Sequence, residues 1–513
     1  MKNALLLPML LCASLTFAAD DRPDLAQRLT ERFMHQLSQT PDGQSGEPIA
    51  WYWAYSLGAI MQGCKNWPDD TWMAPTEKAL HAMIAKMAKG PDGYMGFIGP
   101  YIYNQKLWAD VHVGDSILIK PMLIFAEIVH DNPALKRKYG ESAEKFIGIA
   151  RRDLIEKWEA RGTFHVDGPF AGYREWNMYC KPDDIAGEWF VDEAARHEGR
   201  PPMSIPFNKA MDMGVCMLQL YRITGEDAYR EKAEKIFNRF KAGINRFDGA
   251  CTWNYWEPVA PKDILDLNAP DQRILTHWVG THAYRDYQAG ELAHVVYAYN
   301  MGVTFTEADM RRFVATNLRF MWNGDKENPK WANSTSTLPG YRQAEPSAAY
   351  PTWAGCVWSA LAPFDATIRA LSAKDIKPDD TVARAAFEKL CETPVSYART
   401  FRPDAKVEDF PWMSDIKESK GQMFAAAVPS VVETGKTTVL FAKTDAPRSE
   451  AKIHVRPLAG GERSLVTTFA KMGDGVQFAY EWDCLIDGKR MPGEYVIIWD
   501  YMGGERAYPV TVK

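Results

Sequence analysis

The residues best suited to chemistry stand together in His277-Trp278-Val279-Gly280-Thr281-His282-Ala283-Tyr284-Arg285-Asp286-Tyr287, which runs directly into a helical pattern from Gln288 to Tyr299. Two of the ten histidines of the chain fall in this stretch, with two tyrosines and an arginine. Histidine exchanges protons near neutral pH, tyrosine is a frequent partner, and arginine supplies a fixed cation. Side chains of these types just before a helix project into a cleft. The competing reading is an aromatic loop whose histidines only cap backbone groups.

Four further constellations carry possible binding chemistry. Tyr101 and Tyr103 precede Trp108-Ala109-Asp110-Val111-His112-Val113-Gly114-Asp115, in which Trp108, Asp110 and His112 are substrate contacts and Asp115 an N-cap for the apolar helix that follows. Glu175 and Trp176 lie in a long loop, Tyr173 to Tyr179, and long loops in compact domains are usually functional. Asn208 stands at the mouth of the apolar helix Lys209 to Tyr221, either as its cap or pointing into a cleft. Tyr341-Arg342 lies in a polar loop, where the guanidinium suits a two-pronged bond to a carboxylate. The spacing of His, Cys, Asp and Glu implies no metal, no cofactor is implied, and a serine hydrolase is disfavoured by the lack of a Gly-x-Ser-x-Gly elbow.

The elements that must position these residues are mostly helices. Helical periodicity covers 22–40, 49–64, 73–88, 115–131, 133–160, 208–224, 227–243, 288–302, 306–322, 352–372 and 379–399. In the 227–243 segment, Tyr229, Ala233, Ile236, Phe237 and Phe240 form one stripe opposite Arg230, Glu231, Lys232 and Lys235. Segments 115–131 and 208–221 are apolar nearly all round, which requires a second layer to cover them. Alternating buried and amphipathic helices predict a mainly α fold: an (α/α)6-type toroid of helical hairpins over residues 20–415, its inner helices ringing a cleft. A helical solenoid is the alternative, but no fixed repeat is present. Thr306 is an N-cap candidate with Asp309 in the partner position, where Glu or Gln would serve better.

After about residue 420 the texture changes to short strands at 437–441, 451–455, 477–480 and 494–499, separated by Gly, Asp and Pro turns. This predicts a small C-terminal β-sandwich over 421–513 of the immunoglobulin-like kind, without catalytic residues.

Composition bounds the partners. A net charge of −6 in 513 residues excludes a nucleic-acid protein built on general basicity. The first 19 residues read as a leader: Lys2, an apolar run from Leu5 to Phe17 too short to span a bilayer, and a small-residue cleavage site before Asp20. A soluble protein with no membrane anchor, exported to a bacterial periplasm or secreted, is the expectation. Cys12 lies in the leader, and the other seven cysteines are widely spaced, as befits free thiols with at most one or two bridges. Eighteen tryptophans and 22 tyrosines crowd into Trp51-Tyr52-Trp53, Tyr94 to Tyr103, Trp176 to Tyr179 and Trp253-Asn254-Tyr255-Trp256. Core packing accounts for many; aromatic loops also suit sugars, with their apolar faces and many hydroxyls.

The leader, the helical hairpins, the Asn-initiated helix followed by LYRITGEDAYREKAEKIFNRF, the His/Tyr/Arg loop and the strand-rich tail together resemble the (α/α)-toroid polysaccharide lyases, which cleave alginate, glucuronan or glycosaminoglycans. The resemblance covers about residues 25 to 410 as architecture, and its motifs are diffuse. It implies β-elimination at a uronate of an anionic polysaccharide, with Asn208 neutralising the carboxylate and His277 or His282 as base or neutralising group. Tyr284 or Tyr287 would be the general acid, and Arg285 a carboxylate contact. The chain departs from the group where related chains carry an acidic-Ser-His sequence and this one reads Arg285-Asp286-Tyr287, which leaves the division of labour between His and Tyr open.

The residue types agree with that chemistry. A uronate C5 proton becomes removable once its carboxylate charge is offset, and a preorganised donor contributes roughly 3 kcal/mol. Two rivals stand beside it. A glycoside hydrolase of the uronyl hydrolase kind, or a uronate C5-epimerase, on the same toroid is the first; a hydrolase would need two opposed carboxylates about 5–10 Å apart, with Asp110, Glu175, Asp183 and Asp184 at hand. A non-catalytic carbohydrate-binding envelope protein is the second, and it leaves the His/Tyr/Arg cluster unexplained.

Overall fold

The computed structural model describes residues 22–513 except 177, 183, 192–203, 260–278, 281–284, 333–352, 354, 393–396, 419–422, 445–449, 470–476 and 502–503. The leader expectation therefore falls outside the described residues. Helical periodicity is converted into helices α1 (Arg22–Ser38), α2 (Glu47–Asn66), α3 (Asp70–Ile84), α4 (His112–Asp131), α5 (Pro133–Ile149), α6 (Lys157–Ala160), α7 (Phe207–Thr224), α8 (Asp227–Ala242), α9 (Arg285–Asn300), α10 (Glu307–Ala315), α11 (Ala366–Asp375) and α12 (Thr381–Glu392). No described helix is long and apolar enough to cross a membrane.

Local chemistry sets the helix ends. Pro133 sits at the start of α5 behind Asn132, whose side chain accepts from the Ala134 and Leu135 N–H groups. Gly225 ends α7 in the left-handed conformation that a side chain would disfavour. Thr306 and Asp309 form a reciprocal capping box, so aspartate suffices where a longer side chain was thought better. The expectation for Asp115 is overturned: α4 begins three residues earlier, at His112, and Asp115 lies buried in its first turn, accepting from the Phe97 N–H. The expected helix 133–160 is continuous but passes through a π-helical stretch, Ala150–Glu156, before α6. The expected helix 352–372 is instead, in its described part, a short 3-10 turn, Ser359–Leu361, followed by α11.

α4 and α7 are buried nearly all round, while α8 buries Ala233, Ile236, Phe237 and Phe240 and exposes its charged side. Packing follows from that difference. α5 covers α4 and α8 covers α7, and the apolar helices pack on one another in the order α2, α4, α7, α9. α9 then meets the 359–361 turn, which leads through α11 to α12, and α12 packs back on α2. The Asn66 side chain donates to the Val382 carbonyl across that last contact.

α4, α7 and α9 run side by side, and polar groups inside them meet partners at matching depths. Asp212 of α7 pairs with Lys120 of α4 and lies 3.1 Å from His294 of α9. Two to three turns on, Glu127 of α4 accepts from Gln219 and Arg222 of α7 and from the Tyr297 hydroxyl. Such pairing is the condition on which a helix can carry charge inside a core.

The C-terminal strands form two sheets around one apolar core, to which Phe424, Leu440, Ile453 and Ile497 contribute. One sheet orders 423–428, 438–444 and 477–482; the other orders 431–432, 504–512, 493–501, 451–457 and 464–469. Asp487 and Gly488, with φ of 50° and 76°, make the tight turn between the strands 485–486 and 489–490. The strand 504–512 was not foreseen because Pro509 interrupts its pattern; it is tolerated because the neighbour 431–432 pairs only with Thr511 and Val512. These sheets dock on the hairpin of strands 164–167 and 170–173 that packs on α8: Ser430 donates twice to Asp167 at 2.8 Å, and Tyr508 packs against Phe170.

Candidate functional site

The first turns of α2, α4, α7 and α9 come together at one end of the helical assembly. Glu47 of α2 lies 3.5 Å from the Lys209 ammonium of α7, and Gly114 of α4 sits against Ala50 and Glu47. The Asn208 backbone N–H lies near enough to the carboxyl of Glu291 of α9 to favour its charged form. Tyr287, in the first turn of α9, meets the Tyr255 ring edge-on at 5.6 Å. Four helix N-termini converging on one spot give it positive backbone dipoles.

A rim of aromatic and acidic side chains surrounds this point. Strands 99–100, 108–109 and 179–180 form a small sheet that brings the 101–115 and 170–184 segments side by side. Tyr101 donates to Glu175 at 3.4 Å and packs against Tyr103 and Tyr179. Burial and the neighbouring Glu175 push the Tyr101 phenol far above its usual range, so it acts as a donor. Trp51 donates to Glu47, and Tyr103 is exposed. Burial alone would weaken the Lys209 ammonium; Glu47 and Glu175, with Tyr103 and Tyr287, outweigh it and hold the proton more tightly. The ammonium therefore contacts Glu47 and lies within electrostatic reach of Glu175, which stands on a different element.

Behind the rim lies Glu291, 1% exposed, accepting from the Trp253 indole at 2.6 Å. Burial pushes its carboxyl up to about 8, with Trp253 and the Asn208 N–H only partly offsetting the shift. Asn208 is buried, and its side-chain oxygen has no hydrogen-bond partner among the described residues. It lies inside the first turn of α7, with Pro206 as the cap residue, so the capping alternative for Asn208 does not hold.

Other expected site residues are placed elsewhere. Asp110 is fully buried in ion pairs with Lys157 at 2.9 Å and Arg161 at 2.8 Å. Burial alone would raise its carboxyl, but the two cations outweigh that and hold it below the usual range. Its neighbour Asp115, 2.5 Å from the same Lys157, is pushed up to about 7 by burial and by Asp110. His112 stacks on Trp158 at 3.9 Å and bonds Thr163; burial, then Arg161, depresses its basicity well below normal. Trp108 is buried beside Ile98 and Cys180. These three residues form the wall, and substrate contact is not open to Asp110 or His112. They act on the rim indirectly, since Arg161 lies over both Trp158 and the half-buried Trp176 at 4.7 and 4.8 Å.

Arg285 is the first residue of α9; its side chain, with His277, His282, Tyr284, Tyr341 and Arg342, lies outside the described residues. So does Asp183, while Asp184 is exposed to solvent. Sequence reasoning missed Glu47, Lys209, Tyr255 and Glu291. The available signal was a helix-start one: each stands within the first turns of an apolar helix or, for Tyr255, in the aromatic run Trp253 to Trp256. Trp51 to Trp53 belong to α2 and are not a loop, and Trp53 and Trp253 are core residues. The seven described cysteines are free thiols.

No known protein family matches the chain, and neither does any curated protein. Among solved structures, a family 76 glycoside hydrolase from a bovine Bacteroides thetaiotaomicron strain is similar with a TM-score of 0.38 and 13% identity, over 72% of this chain and 68% of that one. A GH127 beta-arabinofuranosidase is similar with a TM-score of 0.27 and 10% identity, over 94% and 80%. At these scores the likeness is loose, and no property of either enzyme is carried over.

Proposed function

We propose that the chain is a carbohydrate-active enzyme that hydrolyses a glycosidic bond in a poly- or oligosaccharide. The observation that carries this reading is the pair Glu47 and Glu175, brought from different elements to one Lys209 ammonium in an aromatic-rimmed mouth. Glycoside hydrolysis needs two carboxylates: one gives a proton to the leaving oxygen, while the other activates water or attacks the anomeric carbon. Trp51, Tyr101, Tyr103 and Trp176 supply the faces on which sugar rings stack. The closed packing order of helices is read as the (α/α) toroid, with 20–415 as the catalytic part and 421–513 as an immunoglobulin-like sandwich. The leader would deliver the enzyme to the periplasm or exterior.

The lyase reading is second. Asn208 and Tyr287 stand on adjacent first turns, as a neutral donor and a phenol for β-elimination would. Against it, the described mouth holds two carboxylates to one ammonium, a balance that repels an anionic uronate unless Arg285, Arg342 and the two histidines reverse it. A screen of neutral and uronate polysaccharides separates the two. Hydrolysis yields new reducing ends without unsaturated sugar, whereas elimination yields ultraviolet-absorbing unsaturated uronate. Unsaturated product that survives Glu47→Gln and Glu175→Gln, and is lost in Tyr287→Phe, would replace the hydrolase with the lyase.

A further inference from the structure

Behind the mouth, one asparagine ties three parts of the chain together. Asn254 is fully buried. Its Oδ1 accepts from the Gly280 N–H at 2.9 Å, and its Nδ2 donates to Glu257 at 2.8 Å and to the Met423 carbonyl at 3.3 Å. Met423 opens the first strand of the C-terminal sheets, and Gly280 lies two residues before His282 in sequence. The residues on either side of Asn254 hold the starts of two helices. Trp253 donates to Glu291 of α9, and the Tyr255 carbonyl accepts from the Phe207 N–H, the first residue of α7, at 3.0 Å. The Tyr255 N–H in turn donates to the Gly280 carbonyl at 2.7 Å.

Glu257 extends this tie into the sheets. Its carboxylate is buried between Arg239 of α8 and Arg506 of the strand 504–512, at 3.0 Å from each. A buried carboxylate between two guanidiniums has a fixed place, because moving off either one leaves charge unpaired in a low-dielectric setting. Asn254 then carries that fixed place to Gly280. An apolar side chain could fill the same volume, but only an amide can accept from Gly280 while donating to Met423 and Glu257.

We infer that Asn254 and Glu257 are positioning residues, through which the C-terminal sheets hold the 253–257 loop and the Gly280 backbone in the geometry that the mouth requires. The activity readout rests on the glycan-cleaving reading of that mouth; the backbone readout does not.

The test uses the full-length protein and the variants Arg506→Met, Arg506→Lys and Asn254→Ser. Amide hydrogen exchange is followed at 253–257 and 279–280, with kcat and KM on whichever glycan the wild type cuts. Among the described residues, Arg506 bonds Glu257 and no residue of the mouth. In Arg506→Met, exchange at Tyr255 and Gly280 should quicken by about tenfold or more, as local opening becomes easier. kcat should fall by about tenfold or more with KM little changed, as misplacement of reacting groups predicts. Arg506→Lys keeps a cation on Glu257 and should recover most of both. Asn254→Ser should lose protection at Gly280 even with the sheets intact. Wild-type exchange and kcat in Arg506→Met and Asn254→Ser would overturn the inference while leaving glycan cleavage standing. A wild type that cuts no glycan would sink the proposed function, and exchange alone would then decide the positioning role. If Arg506→Met and Asn254→Ser do not fold, the lysine variant decides: exchange like that of the wild type supports the tie through charge, and faster exchange with unchanged kcat refutes its bearing on the mouth.

Discussion

Glu47 and Glu175 are held differently. Glu47 is buried in the first turn of α2 against Trp51 and Lys209, whereas Glu175 sits in a loop and takes its hydrogen bond from Tyr101. Under the hydrolase reading, Glu47→Gln and Glu175→Gln should each lower kcat by about 10²-fold or more with folding retained, in the range for acid–base groups. Reducing-end assays with a thermal melt check both halves of that statement. Glu291 yields a stability prediction independent of activity. Its folded carboxyl is pushed up to about 8, against an ordinary value of about 4.3. Between those values the unfolded chain loses the proton and the folded one keeps it, so wild-type stability should decline as pH rises through that window. Glu291→Gln removes this contribution, and denaturant melts at pH values near the two ends should show the variant gaining on the wild type toward the alkaline side. An equal difference at both ends would refute the buried, protonated carboxyl. At this scale residue type alone singled out Tyr101, Glu175, Trp176, Asn208 and Tyr287, which the structure places around the converging helix starts, and their roles there belong to the proposal. Asp110 and His112 looked equally functional, because a sequence does not show that Lys157 and Arg161 arrive from another element to occupy Asp110, nor that Trp158 and Thr163 occupy His112.

Among the elements, α2 matters most to the mouth, and its start is set by a glycine. Gly46 has φ of 82°, and a Cβ there would lie 2.7 Å from the Gly99 backbone. Gly46→Ala should therefore shift the first turn of α2 and, with it, Glu47. The expected outcome is a loss of stability of about 1–3 kcal/mol, the usual scale for overpacking, together with reduced kcat. A melt and a turnover assay on the same preparation test it; unchanged kcat in a destabilised variant would mean that the start of α2 does not set the site. Capping offers a control far from the mouth. Thr306→Ala should cost about 1 kcal/mol through α10 and leave turnover alone. Helix positions were largely legible because stripes of apolar residues recur at helical spacing. Their first residues were not: α4 and α9 each begin three residues earlier than their apolar runs suggest. In α4 the extra residues are His112, Val113 and Gly114, which tertiary contacts hold: His112 bonds Thr163, and Gly114 sits against Ala50 and Glu47 of α2.

For the whole molecule, the sheets and the helices share too much core to be independent. Phe170, Ala242, Val279 and Trp412 are buried with the sheet residues, and Arg506 and Ser430 bond into the helical part. Deleting residues 421–513 should leave a chain that melts at markedly lower temperature or aggregates, since Asp167 and Glu257 would lose buried partners at once. A truncated protein with a wild-type melt would show that the docking is superficial. By itself, the sequence determined most of the helical segments and the switch to strands near residue 420, because each rests on local periodicity or turn chemistry; it misplaced 352–372 and took Trp51 to Trp53 for a loop. Only the tertiary structure decided which chemical groups meet. Glu47, Lys209 and Glu175 are far apart along the chain, and their meeting depends on helices whose N-termini all arrive at one end. Burial then chose among similar residues. It withdrew Asp110 and His112 into the wall and kept Glu291 protonated, because the cost of a charge depends on surroundings that no local pattern records.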